Sequence, residues 1–217
     1  VLCVAMVLSM MAFTVSADDA NIIEITADIT LTENINLEES TKYVIPEGAD
    51  VTIDLKGYTI TGNLHKSIGS VIENYGTLIL KNGTVSSVAD NGGSALKNNG
   101  VATVESVTLN GAPNANGSWA SYAVNNAGLL TINDSLVTGY QGGVASYGDD
   151  AVVTLNNTNV VKEATPGFTN HALYTYSNGK IIVNNTASNY VINKSADQAS
   201  TGGSVINGAV ETNGGKY

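Results

Sequence analysis

The feature that most constrains the fold is an internal repeat, in which one apolar residue is followed five places later by a second. The first residue of each copy lies 25, 24, 28, 23 and 28 positions after that of the preceding copy. The six copies are Leu55-KGYT-Ile60, Leu80-KNGT-Val85, Val104-ESVT-Leu109, Ile132-NDSL-Val137, Leu155-NNTN-Val160 and Val183-NNTA-Ser188. A period of this length is typical of a solenoid, in which each unit packs only on its neighbours.

Each period holds about three short strands. Val51, Ile53 and Leu55 alternate with polar residues, which is the pattern of a strand with one buried face. Further upstream in four periods stands a small or branched residue followed by a larger apolar one. These pairs are Val71-Ile72, Ala95-Leu96, Ala123-Val124 and Ala172-Leu173. Because the chain has 23 glycines and only 3 prolines, tight corners between the strands are expected.

The period predicts the fold class. About 26 residues per turn is too long for a hexapeptide helix, and no half of the period has a helical pattern. We therefore predict an all-β protein, a right-handed parallel β-helix of about six to seven coils with three short strands per coil. Equivalent residues of successive coils would then stack at about 4.8 Å.

Asparagines recur at two places in the period, and each set predicts a ladder of stacked side chains. Stacked amides bond to one another and to the backbone of the corners, which satisfies polar groups there. The first set follows the apolar anchor by two positions: Asn82, Ser106, Asp134, Asn157 and Asn185. The second precedes it by six positions: Asn74, Asn98, Asn126 and Asp149.

Composition limits the partners. The net charge is −10, and all nine basic residues are lysines. An acidic surface without arginine argues against nucleic acid and against anionic lipid surfaces, where neutralisation of phosphate dominates affinity.

The start of the chain resembles an export signal. Residues 1–17 are apolar, end in Val15-Ser16-Ala17 and precede two aspartates. We interpret 1–17 as an N-terminally truncated signal peptide, 18–45 as the N-terminal cap and first coil, and 46–217 as the β-helix. The mature chain would have no membrane span and would be secreted or displayed on a bacterial surface. Neither end has a recognisable boundary, so we expect it to be part of a longer polypeptide.

A family resemblance begins at residues 29–62, ITLTENINLEESTKYVIPEGADVTIDLKGYTITG. This stretch resembles the opening coils of pectate-lyase-like right-handed β-helix proteins, as in exported and surface proteins of gut Firmicutes. The resemblance implies the fold but not one activity, since the fold hosts lyases, hydrolases and adhesins. Pectate lyases of the family use a basic residue, usually arginine, beside a calcium-binding aspartate cluster, and this chain has no arginine.

Two kinds of side chain are candidates for a site. Tyr75, Tyr147, Tyr174 and Tyr176 are expected near one corner, with Tyr122 close by, and Trp119 lies in the longest insertion. Aromatic rings of this kind stack on sugars, or they cover a corner hydrophobically. The acid pair Asp149 and Asp150 would lie in the column of Asn126. It is either a solvated corner, a calcium site or part of an acid–base pair.

Two functions remain open. The first is a non-catalytic, adhesin-like or stalk module that binds carbohydrate or a surface protein, with no catalytic residue and no obligatory cofactor. The alternative is a polysaccharide lyase or glycoside hydrolase acting on an acidic plant or host glycan.

Overall fold

The structure is a computed structural model and describes residues 20–64, 69–88, 93–112, 122–164, 171–194 and 205–217. Throughout these segments the regular secondary structure is β-strand, and none of them contains a helix suited by length and apolar character to cross a membrane. The predicted signal peptide and Trp119 lie outside the described residues.

The described residues form 21 strands. In chain order these are β1 (Asn21–Glu24), β2 (Ile29–Thr30), β3 (Ile35–Asn36), β4 (Thr41–Ile45), β5 (Asp50–Asp54), β6 (Thr59–Gly62), β7 (Ser70–Asn74), β8 (Thr77–Ser87), β9 (Ser94–Asn98), β10 (Val101–Asn110), β11 (Tyr122–Asn126), β12 (Leu129–Asn133), β13 (Leu136–Gly139), β14 (Gly142–Tyr147), β15 (Val152–Asn156), β16 (Asn159–Lys162), β17 (Leu173–Tyr176), β18 (Lys180–Asn184), β19 (Val191–Asn193), β20 (Ile206–Asn207) and β21 (Val210–Asn213).

These strands build two sheets in which the paired strands are parallel. Sheet A has eight strands in the order β1-β4-β7-β9-β11-β14-β17-β20. Sheet B has thirteen strands and contains the other two strands of each coil. In two coils these two strands are joined into one long strand, β8 or β10. The chain is therefore a parallel β-solenoid of about six turns, as the repeat predicted.

Aliphatic columns fill the coil. The register aligns the first apolar residue of five copies and the second of four, and all nine side chains are completely buried. The first column is Leu80, Val104, Ile132, Leu155 and Val183, and the second is Val85, Leu109, Val137 and Val160. The repeat assignment is confirmed for these residues.

The assignment is wrong at the first and last copies. Ile53, not Leu55, pairs with Leu80, and Val191, not Ser188, pairs with Val160. The spacing between the two columns is five residues at Leu80 but seven between Ile53 and Ile60. The bend lengthens in these two coils, and a rule of fixed spacing cannot detect the added residues.

Small residues in sheet A have a physical cause. Tyr122 pairs with Gly142 and Val124 with Val144, and the residue between them is left out of the ladder. The amides of Gly143 and Val144 both donate to the carbonyl of Ala172, at 3.1 and 2.9 Å. Such a bulge turns two consecutive side chains into the core, and the first of them is alanine in three of the four coils with a predicted pair and valine in the fourth. The predicted small-then-apolar pairs occupy this position.

The interior asparagine ladder is confirmed for three of its four members. Asn74 donates to Asn98 and Asn98 to Asn126, each at 2.8 Å between Nδ2 and Oδ1, and all three are completely buried. The fourth position is Ser146 rather than Asp149, since Asn126 pairs with Ser146. Six positions separate Ser146 from the next strand, against three for Asn126, so Asp149 lies in an added surface turn.

The second asparagine ladder lies one position earlier than predicted. Hydrogen bonds of 2.8 to 3.0 Å between side-chain amides link four asparagines on the outer face of sheet B: Asn133, Asn156, Asn184 and Asn213. The predicted positions instead adopt left-handed backbone conformations in four coils, with φ between 48 and 61° at Asn82, Ser106, Asp134 and Asn157. These residues bend sheet B. The fifth, Asn185, is buried. Its Nδ2 donates a hydrogen bond to the backbone carbonyl of Thr158, and its Oδ1 accepts one from the backbone N–H of Thr158.

Candidate functional site

The outward side of sheet A has a cluster of tyrosines, here called the tyrosine face. Its members are Tyr75, Tyr122, Tyr147, Tyr174 and Tyr176. Strand alternation places them outside because the inward positions are taken by the asparagine ladder and the aliphatic columns. The sequence predicted them near one corner, but only Tyr75, Tyr147 and Tyr176 lie at or just after the ends of their strands, whereas Tyr122 begins its strand.

Two rings of the tyrosine face stack with each other, and one of them also stacks with His171. The ring centroids of Tyr122 and Tyr174 are 5.9 Å apart with an interplanar angle of 20°, and those of His171 and Tyr174 are 5.9 Å apart at 18°. Gly142 pairs with Tyr122, and a Cβ there would overlap the Tyr122 ring. The missing side chain lets this ring lie flat on the sheet. The Nδ2 atom of Asn207 lies 3.0 Å from Nε2 of His171.

A buried carboxylate lies at the other end of the tyrosine face. Glu73 is 4% exposed, and its Oε1 atom is 3.1 Å from Nζ of Lys42. The hydroxyl of Tyr75 donates to Oε2 of Glu73 at 3.2 Å. Lys97 occupies the adjacent position on the next strand. Burial together with the negative charge of Glu73 raises the pKa of Tyr75 and of Tyr147, so both phenols remain neutral at physiological pH.

Two tyrosines at the same end of sheet A are neighbours, Tyr147 half-buried and Tyr176 exposed. Tyr147 pairs with Tyr176 across β14 and β17, and the Tyr176 side chain is 64% exposed. Within the described residues, neither hydroxyl makes a hydrogen bond to a protein group. The pair therefore offers ring surface and two hydroxyls to a molecule in solvent.

Tyr122 makes the stability of the coil sensitive to alkaline pH. Desolvation by burial raises its pKa well above the ordinary value of 10.0. A folded pKa above the unfolded one contributes stability that is complete below pH 10 and is lost as pH rises through the folded value. We expect the unfolding free energy of Tyr122→Phe, measured in urea, to fall about 1 kcal/mol less between pH 9 and 11 than that of the unchanged chain. Parallel losses in the two proteins would contradict this account.

The acid pair is not near the buried carboxylate. Asp149 and Asp150 are exposed in the turn after β14, and Asn178 donates to Oδ1 of Asp149 at 3.0 Å. Glu73 is on β7, three coils away. In the described part of the chain, no three His, Cys, Asp or Glu side chains are grouped so that they could hold a metal ion. The predicted alignment of Asp149 with Asn126 is wrong, and a calcium site at this turn stays a prediction.

The insertion with Trp119 joins the tyrosine face directly in sequence. Each internal segment outside the described residues precedes a strand of sheet A, and residues 113–121 lead into β11, where Tyr122 is the first residue. A role for Trp119 in binding stays a prediction.

Sequence reasoning missed two features. The first is the Lys42–Glu73 ion pair, which depends on the register of β4 and β7. A usable signal in the sequence was Lys97, whose charge is opposite to that of Glu73 and which lies beside it on the other neighbouring strand. A polar groove on sheet B was also missed, because it depends on the bend in that sheet.

Comparison with known proteins returns no relative. No protein family, no curated protein and no solved structure matches the chain.

Proposed function

We propose that the chain is a non-catalytic, exported or cell-surface module that binds glycans through the tyrosine face. The observation that carries the proposal is the neighbouring pair of half-buried Tyr147 and exposed Tyr176, on the same face of sheet A as the stacked rings of Tyr122 and Tyr174. Aromatic rings cover the apolar faces of sugars, and phenol hydroxyls bond to sugar hydroxyls. A flat, rigid sheet pre-organises these side chains, which lowers the entropic cost of binding.

The size of the face suits an oligosaccharide rather than a single sugar. The tyrosines extend from the end of β7 to the end of β17, which are separated by four strand spacings. At about 4.8 Å per spacing this is about 19 Å. The polar side chains among them include Asn125, whose Nδ2 donates to Ser94 Oγ at 2.6 Å.

Export and the family assignment are supported by sequence alone. The signal-like residues 1–17 and the likeness of residues 29–62 to pectate-lyase-like proteins support a secreted or surface-displayed bacterial protein. The surrounding coat is acidic and free of arginine, which favours a neutral glycan or a surface protein as partner.

The proposal is tested by titration of alanine variants against glycans selected on an array. Tyr176→Ala and Tyr147→Ala should each weaken binding about 30-fold, equivalent to about 2 kcal/mol for a central aromatic contact. Tyr217→Ala is the matched control, since Tyr217 is also exposed, at 45%, but follows β21 of sheet B. Array binding that survives both variants, or no binding to any glycan, would refute the proposal.

An enzyme acting on an acidic glycan is the second candidate. It is favoured by the burial of Glu73 beside Tyr75, in the position of a group that could exchange a proton with a bound sugar. Release of reducing ends or unsaturated uronides from a polysaccharide panel, abolished by Glu73→Gln and unchanged by Asp149→Ala, would establish it in place of the binding module. Turnover lost on Asp149→Ala would instead assign the chemistry to the acid pair.

A further inference from the structure

A second surface, on sheet B, is shaped as a groove. Left-handed residues in three successive coils bend the sheet at Ser106, Asp134 and Asn157, with φ of 55, 48 and 48°. The bend leaves a groove of about 620 Å³ lined from both sides, here called the bend groove. Its second side includes the outward residues Thr108 and Asn159 that follow the bend.

The bend groove has a wall at one end. Between β18 and β19 the chain makes a longer turn, in which Thr186 Oγ1 donates to Asn189 Oδ1 at 2.6 Å. Asn189 Nδ2 donates to the carbonyl of Asn157 at 3.0 Å and so fixes the turn against the preceding coil. The groove runs across three coils to this wall, about 14 Å at the strand spacing.

The lining is polar, and part of it is free to bind. Within the part of the chain that the structure describes, the hydroxyls of Ser106 and Thr108 and the carboxylate of Asp134 make no hydrogen bond to a protein group. The only charged side chain in the lining is Asp134, and the remaining polar groups are hydroxyls and amides. A row of such donors and acceptors at one spacing per coil matches a linear polymer of hydroxylated units, and the carboxylate repels an anionic one.

We propose that the bend groove binds a neutral linear oligosaccharide, at a site separate from the tyrosine face. A pyranose unit in an extended chain is close in length to one strand spacing, so each coil can present its polar side chains to one sugar. Ser106, Asp134 and Asn157 would each contact a successive unit, and the turn at Asn189 would stop the chain. The groove contains no aromatic residue, so binding is weaker than at the tyrosine face.

The test is a titration of the isotope-labelled chain with cellohexaose, mannohexaose and maltohexaose, followed by amide NMR shifts, with hexagalacturonate as the anionic counterpart. At least one neutral hexamer should shift amides in 106–108, 134–136 and 157–159. Thr108→Tyr should fill the groove and weaken this binding at least about tenfold. Thr59→Tyr is the control, because Thr59 lies in the same outward column two coils away, outside the groove.

Three results would overturn the proposal: no shifts in these segments with any neutral hexamer, equal shifts with hexagalacturonate, or equal weakening by Thr59→Tyr. Tyr176→Ala distinguishes the two sites. The Tyr176→Ala variant should show the same amide shifts in the groove as the unchanged chain, whether or not the tyrosine face binds a glycan. Loss of these shifts in Tyr176→Ala would also reject a separate groove site.

Discussion

Replacing Asn98 by alanine should lower the free energy of unfolding by about 4 kcal/mol. Its Nδ2 group lies 3.1 Å from the carbonyl of Gly100, 3.0 Å from that of Leu129 and 2.8 Å from Oδ1 of Asn126. Its own oxygen accepts from Asn74 at 2.8 Å. Because the side chain is completely buried, water cannot replace these bonds, and each orphaned group costs about 1 to 3 kcal/mol. Urea unfolding followed by circular dichroism measures the change.

The matched control is Asn156→Ala, in the outer asparagine ladder. Asn156 also sits between two amides, donating to Asn133 at 2.8 Å and accepting from Asn184 at 3.0 Å. Solvent reaches these groups, so we expect a loss of about 1 kcal/mol or less. Equal losses in the two variants would show that burial is not what makes the inner ladder stabilising.

Alanine at Gly143 should destabilise the coil by about 3 kcal/mol, although it adds one methyl group. A Cβ at this buried position would overlap Cγ1 of Val160 and lie 2.7 Å from the carbonyl oxygen of Ala172. The oxygen belongs to the backbone of the next coil, so relief requires a shift of that coil rather than a side-chain rotation. Thermal and urea unfolding of the variant measure the loss.

A double-mutant cycle with Val160→Ala tests the cause. Removing the Val160 methyl groups relieves one of the two overlaps, so the double variant should be more stable than the sum of the single losses predicts, by about 1 kcal/mol. Strict additivity would mean that the cost of Gly143→Ala arises from the backbone alone, and a loss below about 0.5 kcal/mol would contradict the tight packing of the bulge.

The parts of the fold that repeat were predictable. Leu80, Val104, Ile132 and Leu155 stack as the period indicated, because every coil must bury an aliphatic residue at the same place. The inner ladder was predictable at Asn98 for a related reason, since a buried corner needs the same donor in each coil. The prediction was wrong at Leu55, Asp149 and Ser188, where corners contain additional residues. Positions counted at a fixed distance from one apolar residue do not reveal on which side of a corner the additional residues lie.

The candidate sites were less predictable than the core. The sequence predicted the tyrosines near one corner, whereas the structure spreads them from the start of β11 to the ends of β14 and β17. The ion pair of Glu73 with Lys42 required the actual register. The repeat placed Ser106, Asp134 and Asn157 in one column, but as a ladder of side chains. The left-handed bend that forms the groove was not predicted, because these residues share no residue type.

The sequence by itself determined the parallel coil, its period and its aliphatic interior, because these depend on a local alternation that recurs in each turn. The tertiary structure alone decided which outward side chains meet. Neighbours on the surface come from different coils, and their register depends on the length of every corner between them, whereas a buried column tolerates only one alignment.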